Sequence, residues 1–397
     1  MSKHYATKTF FRQSPNCFLE KYFSSKNIAL DRVDFVTLKE ADAETIYAAW
    51  LKLPDEARSK AEKDFREIYA MADEVGSKAI RDEAIFHKED LLEKFAELKG
   101  FHEHAFWTFL ERPHYWQGAL DFQRADHVPP SYWRKRKNLP KKPADLDPAS
   151  ILGFEQSLGR YLYTMQGRGK NCHVNCYRRG DLDYFFAYAE DFAQSGMEWN
   201  NGKLDRRAYH PVFEIMFVFS EKEGSLAIYL VGDRKVVPDL QNIFAEALLK
   251  TELIPDEKDE RVYDLEPLKS RQFRFVYEPD WGIEKIVIKK LKLSIPGEKK
   301  EKIVLETAAR YDKEAIFDLY DKATKEFPHR QILMIQVGIK VTFASSASYR
   351  GGNTRTFDVT WPNSCNLKYD GRDLLLRKML VDSGIEPKEP VKEEAAA

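Results

Sequence analysis

The sequence predicts an α+β protein: a helical N-terminal domain followed by a mixed, mostly antiparallel sheet domain built from two- or three-strand units that each end in a helix. Three observations carry that expectation. Apolar residues up to about residue 125 recur at steps of three and four, the spacing of one buried helical face. Beyond about residue 205 the period falls to two, the spacing of a half-buried strand. The strands there are joined by hairpin-length connections and not by helical crossovers, which favours antiparallel pairing.

In order along the chain, Ser14 and Pro15 read as an N-cap with proline at N1, opening a helix that buries Phe18, Leu19 and Tyr22 and stops near Asn27. Ala61, Phe65, Ile68, Ala72 and Val75 mark a second helix, which Gly76 is expected to close. Shorter helical patterns follow at Ile80, Ala84 and Ile85, at Leu91, Leu92, Phe95 and Leu98, and at Phe101, Ala105, Phe106 and Phe109 up to Pro113. The stretch from Ala125 to Asp147 holds Pro129, Pro130, Pro140 and Pro143 and no apolar period, so it is expected to be a linker or an extended surface arm. Asp147 and Pro148 then cap a helix that carries Phe154, Leu158 and Leu162 and ends at the pair Gly167 and Gly169.

Val212 to Phe219 and Ser225 to Val231 read as a hairpin, followed by an amphipathic helix from Pro238. Strands are expected at 271–278, 284–295 and 301–307, with a β-bulge at Lys289 or Lys290 where the apolar phase slips. A helix capped by Asp312 follows. Ile335, Val337, Ile339, Val341 and Phe343 alternate strictly, Phe357, Val359 and Trp361 form the next strand, and a last helix runs from Arg372 to Gly384. The expected division is 1–125 helical domain, 126–147 basic proline-containing linker or arm, 148–385 α+β domain, and 386–397 charged disordered tail.

At 397 residues and 43 % apolar content the chain can bury more than one core, which excludes a disordered protein. The longest apolar runs, such as Leu226 to Val231, fall far short of the roughly 20 residues that span a bilayer, and the N-terminus has no apolar leader, so a cytoplasmic protein with no membrane partner is expected. Four cysteines, Cys17, Cys172, Cys176 and Cys365, do not make a disulfide framework.

The charge is unevenly spread. Residues 131 to 180 hold eleven lysines and arginines against three acidic residues, a net +8 in a chain of net −1, which leaves −9 on the remainder. Tyr132, Trp133, Arg134, Lys135, Arg136, Lys137, Lys141 and Lys142 therefore form an aromatic-basic arm suited to phosphates and exposed bases of DNA or RNA, or to an acidic protein surface. Arg168, Lys170, Arg178 and Arg179 are accessory cations if the fold brings them to the same face. Gly167-Arg168-Gly169-Lys170 follows a helix and lacks the spacing of a P-loop, so it reads as a glycine C-cap. Cys172-His173-x-x-Cys176 has no second ligand pair, and Glu83 and His87 alone share a helical face, so no metal site is expected from either.

Glu214 in the first hairpin and Asp233-x-Lys235 after it match the carboxylate-lysine set by which many nucleases hold Mg²⁺ and activate water. The leading expectation is a non-catalytic binding protein within an assembly, using the basic arm on nucleic acid. One alternative is a Mg²⁺-dependent nuclease or phosphodiesterase using Glu214, Asp233 and Lys235. The other is a protein-interaction subunit without nucleic-acid contact.

Overall fold

The computed structural model describes residues 5–387 apart from 129–132, 201, 233, 254–260, 296–300, 309–311, 313, 327–331, 345–353 and 370. The chain divides into two compact units, Met1–Val128 with Tyr177–Gly180, and Pro129–Cys176 with Asp181–Ala397.

The first unit is helical: α1 Thr7–Gln13, α2 Asn16–Ser25, α3 Ala43–Trp50, α4 Asp55–Met71, α5 Glu74–Phe86, α6 Leu92–Glu97, α7 Phe101–Glu111 and α8 Pro113–His127. Its core is aromatic. Phe65 of α4 stacks on Phe10 at 4.4 Å between ring centroids and meets Tyr22 at 4.8 Å, and both Phe10 and Tyr22 also touch Phe106 of α7. Two expected helix ends are corrected. Ser14 does not cap α2, because its hydroxyl donates back to the Phe10 carbonyl at 2.8 Å. Gly76 does not close a helix. It sits in the first turn of α5, whose cap is Asp73, at a point where a β-carbon would overlap the Met71 carbonyl. Glycine is there for close helix approach, a requirement that looks like a stop signal in sequence.

Among the described residues there are two five-stranded sheets and a separate two-stranded ribbon, all in the second unit except residues 177–179 at the end of β2, which belong to the first. The first sheet has the order β1-β7-β6-β3-β2, with β1 Trp133–Arg136, β2 Cys172–Arg179, β3 Leu182–Glu190, β6 Val212–Ser220 and β7 Ser225–Leu230. Helices α9 Pro148–Gln166 and α10 Val237–Leu248 cover one face, where Phe154 and Phe244 pack on Phe217 at 5.2 and 5.7 Å. Asp147 accepts from the Ala149 amide and Gly167 adopts a left-handed φ of +70°, so α9 starts and stops at its expected residues.

The second sheet has the order β12-β11-β10-β8-β9, with β8 Ile283–Ile295, β9 Glu301–Glu306, β10 Leu333–Phe343, β11 Thr354–Thr360 and β12 Ser364–Cys365. Its core side takes Ile316 from α11 Ala315–Lys325 and Leu376, Met379 and Leu380 from α12 Gly371–Asp382. Gly338 lies opposite Lys290 and Ile339 opposite Ile288, which makes Lys289 the extra residue of the anticipated bulge.

Four further expectations are corrected. Residues 271–272 form a turn and 273–278 have no regular secondary structure, so no strand stands there. The strands β2 and β3 precede residue 205, and β3 escapes the alternation test because Asp183 through Ala187 are all buried, on both faces of a central strand. The region 126–147 is not an unstructured arm. Trp133–Arg136 is a strand in full antiparallel register with Leu226–Tyr229, and the Leu139 amide goes on to donate to Gly224 O at 2.9 Å. Its other side reaches the second sheet, where the Lys135 amide donates to Asn363 O at 3.1 Å. Glu386, placed by sequence in a disordered tail, is 2 % exposed; residues 388–397 lie outside the described residues. No helix among the described residues is long and apolar enough to cross a membrane.

Candidate functional site

Strand pairing decides the fate of the basic stretch. Alternating residues of β1 point to opposite faces, and both faces are covered, so cations at successive positions are taken inside. Trp133 is 7 % exposed and packs against Tyr229 and Tyr369. Lys135 is 5 % exposed, with its ammonium 2.7 Å from Glu386 and 2.9 Å from Glu223. Burial alone would pull the Lys135 pKa down, but the charges of Glu386, Tyr369 and Glu223 outweigh it and hold the ammonium above its ordinary range. Arg377 of α12 completes this knot, donating to the Leu367 and Lys368 carbonyls and lying 3.7 Å over the Tyr369 ring. Arg134 donates to the Ser364 hydroxyl at 2.9 Å, Arg136 is buried, and Lys137 donates to the Pro387 carbonyl at 2.9 Å. Of the eight expected contact residues only Lys141 and Lys142 stand out to solvent; Tyr132 lies outside the described residues.

The accessory cations do not gather into one patch. Arg179 belongs to the helical unit, paired with Asp126 and Asp82 at 2.9 Å and stacked over Phe122. Beside it Glu83 is buried against Gly118, and burial, with a smaller push from Asp121, raises its carboxyl to about 7 although Arg179 opposes the shift. His87 reaches Glu83 at 3.3 Å. Arg178 is exposed and also lies in the helical unit. Lys170 lies in the other unit, lining a cleft of about 410 Å³ together with Arg160 and Tyr163.

The carboxylate set is not assembled by any described contact. Glu214 stands opposite Tyr188 near the start of β6, Lys235 is exposed in the short turn Arg234–Val236, and Asp233 lies outside the described residues. Among the described residues no three His, Cys, Asp or Glu side chains converge as a metal cluster. Cys172 and Cys176 are partly buried, and burial, reinforced by Glu155, lifts both thiols to about 12. At neutral pH neither offers a thiolate.

The most exposed built element is one that the sequence reading passed over. Between β3 and β6 the chain runs out into a ribbon of β4 Gln194–Asn200 and β5 Lys203–Tyr209, paired in unbroken register from Gln194/Tyr209 to Asn200/Lys203. Directly opposed residues share a face. One face therefore carries Met197, Trp199, Leu204 and Ala208 with Arg206, and the other Gln194, Glu198, Lys203, Asp205, Arg207 and Tyr209. The polar face carries an ion pair of Arg207 with Glu198 at 2.9 Å, and the Tyr209 ring lies across Gly196. The apolar face is bare: Met197, Trp199 and Leu204 are 65 %, 75 % and 59 % exposed.

A two-stranded hairpin alone is marginal in water, so the ribbon depends on its root. Arg168, just past the end of α9, supplies it. Its guanidinium sits 3.9 Å over the Phe213 ring and 2.9 Å from Asp191. The Gly169 amide donates to Glu190 O at 2.7 Å and the Asp191 amide to Pro211 O at 2.7 Å, tying both strands where the ribbon leaves the sheet. A signal for the ribbon is present in sequence. Asn201-Gly202 is a strong two-residue hairpin turn, and it stands between the alternating runs Met197-Glu198-Trp199 and Leu204-Asp205-Arg206.

Comparison with protein-family models and with curated proteins gives no match to this chain.

Proposed function

We propose that the chain is a non-catalytic binding protein working within an assembly, and that it meets a protein partner through the β4–β5 ribbon. The observation that carries this reading is the bare apolar face of Met197, Trp199 and Leu204 on a ribbon rooted by Arg168. Exposed aromatic and methionine side chains on an element rooted in the sheet are what interface anchors look like. The ribbon's charge points to the kind of partner. Its three cations, Lys203, Arg206 and Arg207, stand against Glu198 and Asp205, so it is close to neutral and suits an apolar protein surface better than a polyanion.

The test uses the full chain isolated at native abundance after nuclease treatment, with mass measured by light scattering. Wild type is expected in a stoichiometric complex with a different protein, and Trp199→Ser/Leu204→Ser is expected as the free chain with unchanged thermal stability. An unchanged complex in the variant, or wild type as the free chain or a dimer, overturns the reading.

Nucleic-acid contact has one observation in its favour. Arg160 and Lys170 have no ion-pair partner among the described residues and flank the cleft beside Tyr163, which is 57 % exposed, a pairing suited to phosphate and base. Affinity for single-stranded DNA or RNA that falls steeply with salt and is lost in Arg160→Glu/Lys170→Glu would support it; salt-independent or unchanged binding would refute it.

A further inference from the structure

We propose that the outer face of the second sheet binds the phosphate backbone of a nucleic-acid duplex without reading its sequence. The alternation that buries Val337, Ile339 and Val341 turns Gln336, Lys340 and Thr342 of β10 to the opposite face. Directly opposed residues share that face, so β8 adds Lys285, Lys290 and Lys292, β9 adds Lys302, and β11 adds Thr354, Thr356 and Thr360. Helices α11 and α12 pack on the core side, while Lys302, Val304, Thr354 and Thr356 stand exposed on the outer side. The sheet is covered on one face and open on the other.

The open face is basic. Among the described residues its ladder carries five lysines against two acidic side chains, Asp358 and Glu306, and Glu284 drops out of the ladder at the bulge beside Phe343. Asp358 is already engaged, taking the Lys290 ammonium at 3.0 Å across Gly338. Glycine lets that pair close, since a β-carbon at Gly338 would stand 2.9 Å from the Asp358 carboxylate and 2.9 Å from the Lys290 β-carbon. Lys292, Lys302 and Lys340 have no ion-pair partner among the described residues. They run diagonally over the ladder: Lys302 lies level with Ser294, Lys292 one same-face position further, and Lys340 two beyond that. Strand spacing and rise spread these three charges over roughly 20 Å.

Lysine ammoniums and threonine hydroxyls are groups that hold phosphate oxygens. The ladder residues of this face include no aromatic ring to stack on a base, so a single strand would leave its bases unrewarded there. A duplex has its bases already stacked and its phosphates outside, and it meets every contact the face can make. This surface goes beyond the reading of the ribbon as a protein contact. It uses strands that neither the ribbon nor the cleft beside Tyr163 shares, so the three readings fail separately.

Fluorescence anisotropy of the full chain with short labelled DNA and RNA duplexes tests it, in an Arg160→Glu/Lys170→Glu background that removes the other candidate phosphate site. Both duplexes are expected to bind whatever their sequence, with log K falling against log salt at a slope of about −3, the value for three neutralised phosphates. Lys292→Gln/Lys340→Gln is expected to reduce that slope by about 2 and to weaken binding at low salt at least about tenfold. Thr356→Lys, opposite Lys340, is expected to steepen the slope by about 1 and to tighten binding, a gain that unfolding cannot produce. No duplex binding, tighter binding of the matching single strand, equal binding of polyglutamate, or a slope that neither substitution moves overturns the proposal.

Discussion

Replacing Lys135 with methionine tests whether the basic stretch belongs to the interior. The substitution leaves Glu386, whose side chain is 3 % exposed, without its 2.7 Å partner. Removing one member of a buried ion pair costs about 3–5 kcal/mol, because the other charge stays desolvated. Lys137, 3.4 Å from Glu386, takes over part of the neutralisation and places the expected loss near the lower end, about 3 kcal/mol. Glu223 adds little, since its side chain is 54 % exposed and a solvated pair contributes about 0–1 kcal/mol. The measurement is urea unfolding in a double-mutant cycle of Lys135→Met, Glu386→Leu and both together. The double variant is expected to recover most of the loss, because an apolar pair of similar volume replaces the ion pair, with a coupling of about 2 kcal/mol. The Lys135 pKa is raised in the folded state, so its contribution is complete below the unfolded value of about 10.4 and is lost only as pH climbs through the higher folded one. The deficit of Lys135→Met should therefore be flat from about pH 6 to 9. A loss under about 1 kcal/mol with no coupling would refute the assignment of this lysine to the core.

Gly76→Ala forces a β-carbon onto the Met71 carbonyl, a backbone atom that cannot swing aside, and is expected to cost about 2 kcal/mol or more in thermal unfolding; a neutral result would mean that α4 and α5 do not approach as described. Glu83 binds its proton more tightly folded than unfolded, so its burden on stability grows as pH rises from about 4.3 to about 7 and then levels off. Glu83→Gln is therefore expected to stabilise the chain at pH 8 and to flatten the pH profile over that window, and a destabilised variant at pH 8 would contradict it. Arg168→Ala removes the Asp191 pair and the stack on Phe213, and is expected to raise amide hydrogen exchange across 194–209 while leaving the sheet strands β6 and β7 protected. Lys141→Glu/Lys142→Glu, both exposed, should change stability by no more than about 0.5 kcal/mol.

Much of the architecture was legible because local chemistry and tertiary packing agree there. Asp147, Pro148 and Gly167 delimit α9, Asn-free apolar alternation gives β10, and the phase slip at Lys289 gives the bulge. The misses share a physical cause: sequence pattern reports local conformation, and these residues are set by what lies across from them. Lys135 looks solvated in sequence because cations are rarely buried, and the carboxylates of Glu223 and Glu386, 88 and 251 residues away, make its burial tolerable. Residues 271–278 alternate like a strand but have no ladder partner among the described residues. β3 is a central strand, so it shows a continuous apolar run in place of alternation. The ribbon was legible at Asn201-Gly202, but the exposure of Trp199 was not, since a tryptophan in sequence reads as core.

Photo-crosslinking from position 199 in the cells that make the protein tests the central claim most directly, with the half-buried Asn242 of α10 as the control position and position 160 as the probe of the nucleic-acid reading. The account predicts one discrete protein adduct from position 199, resistant to nuclease, at a mass that excludes a second copy of the chain, and none from position 242. No adduct from position 199, or a nuclease-sensitive adduct from position 160 alone, would contradict it.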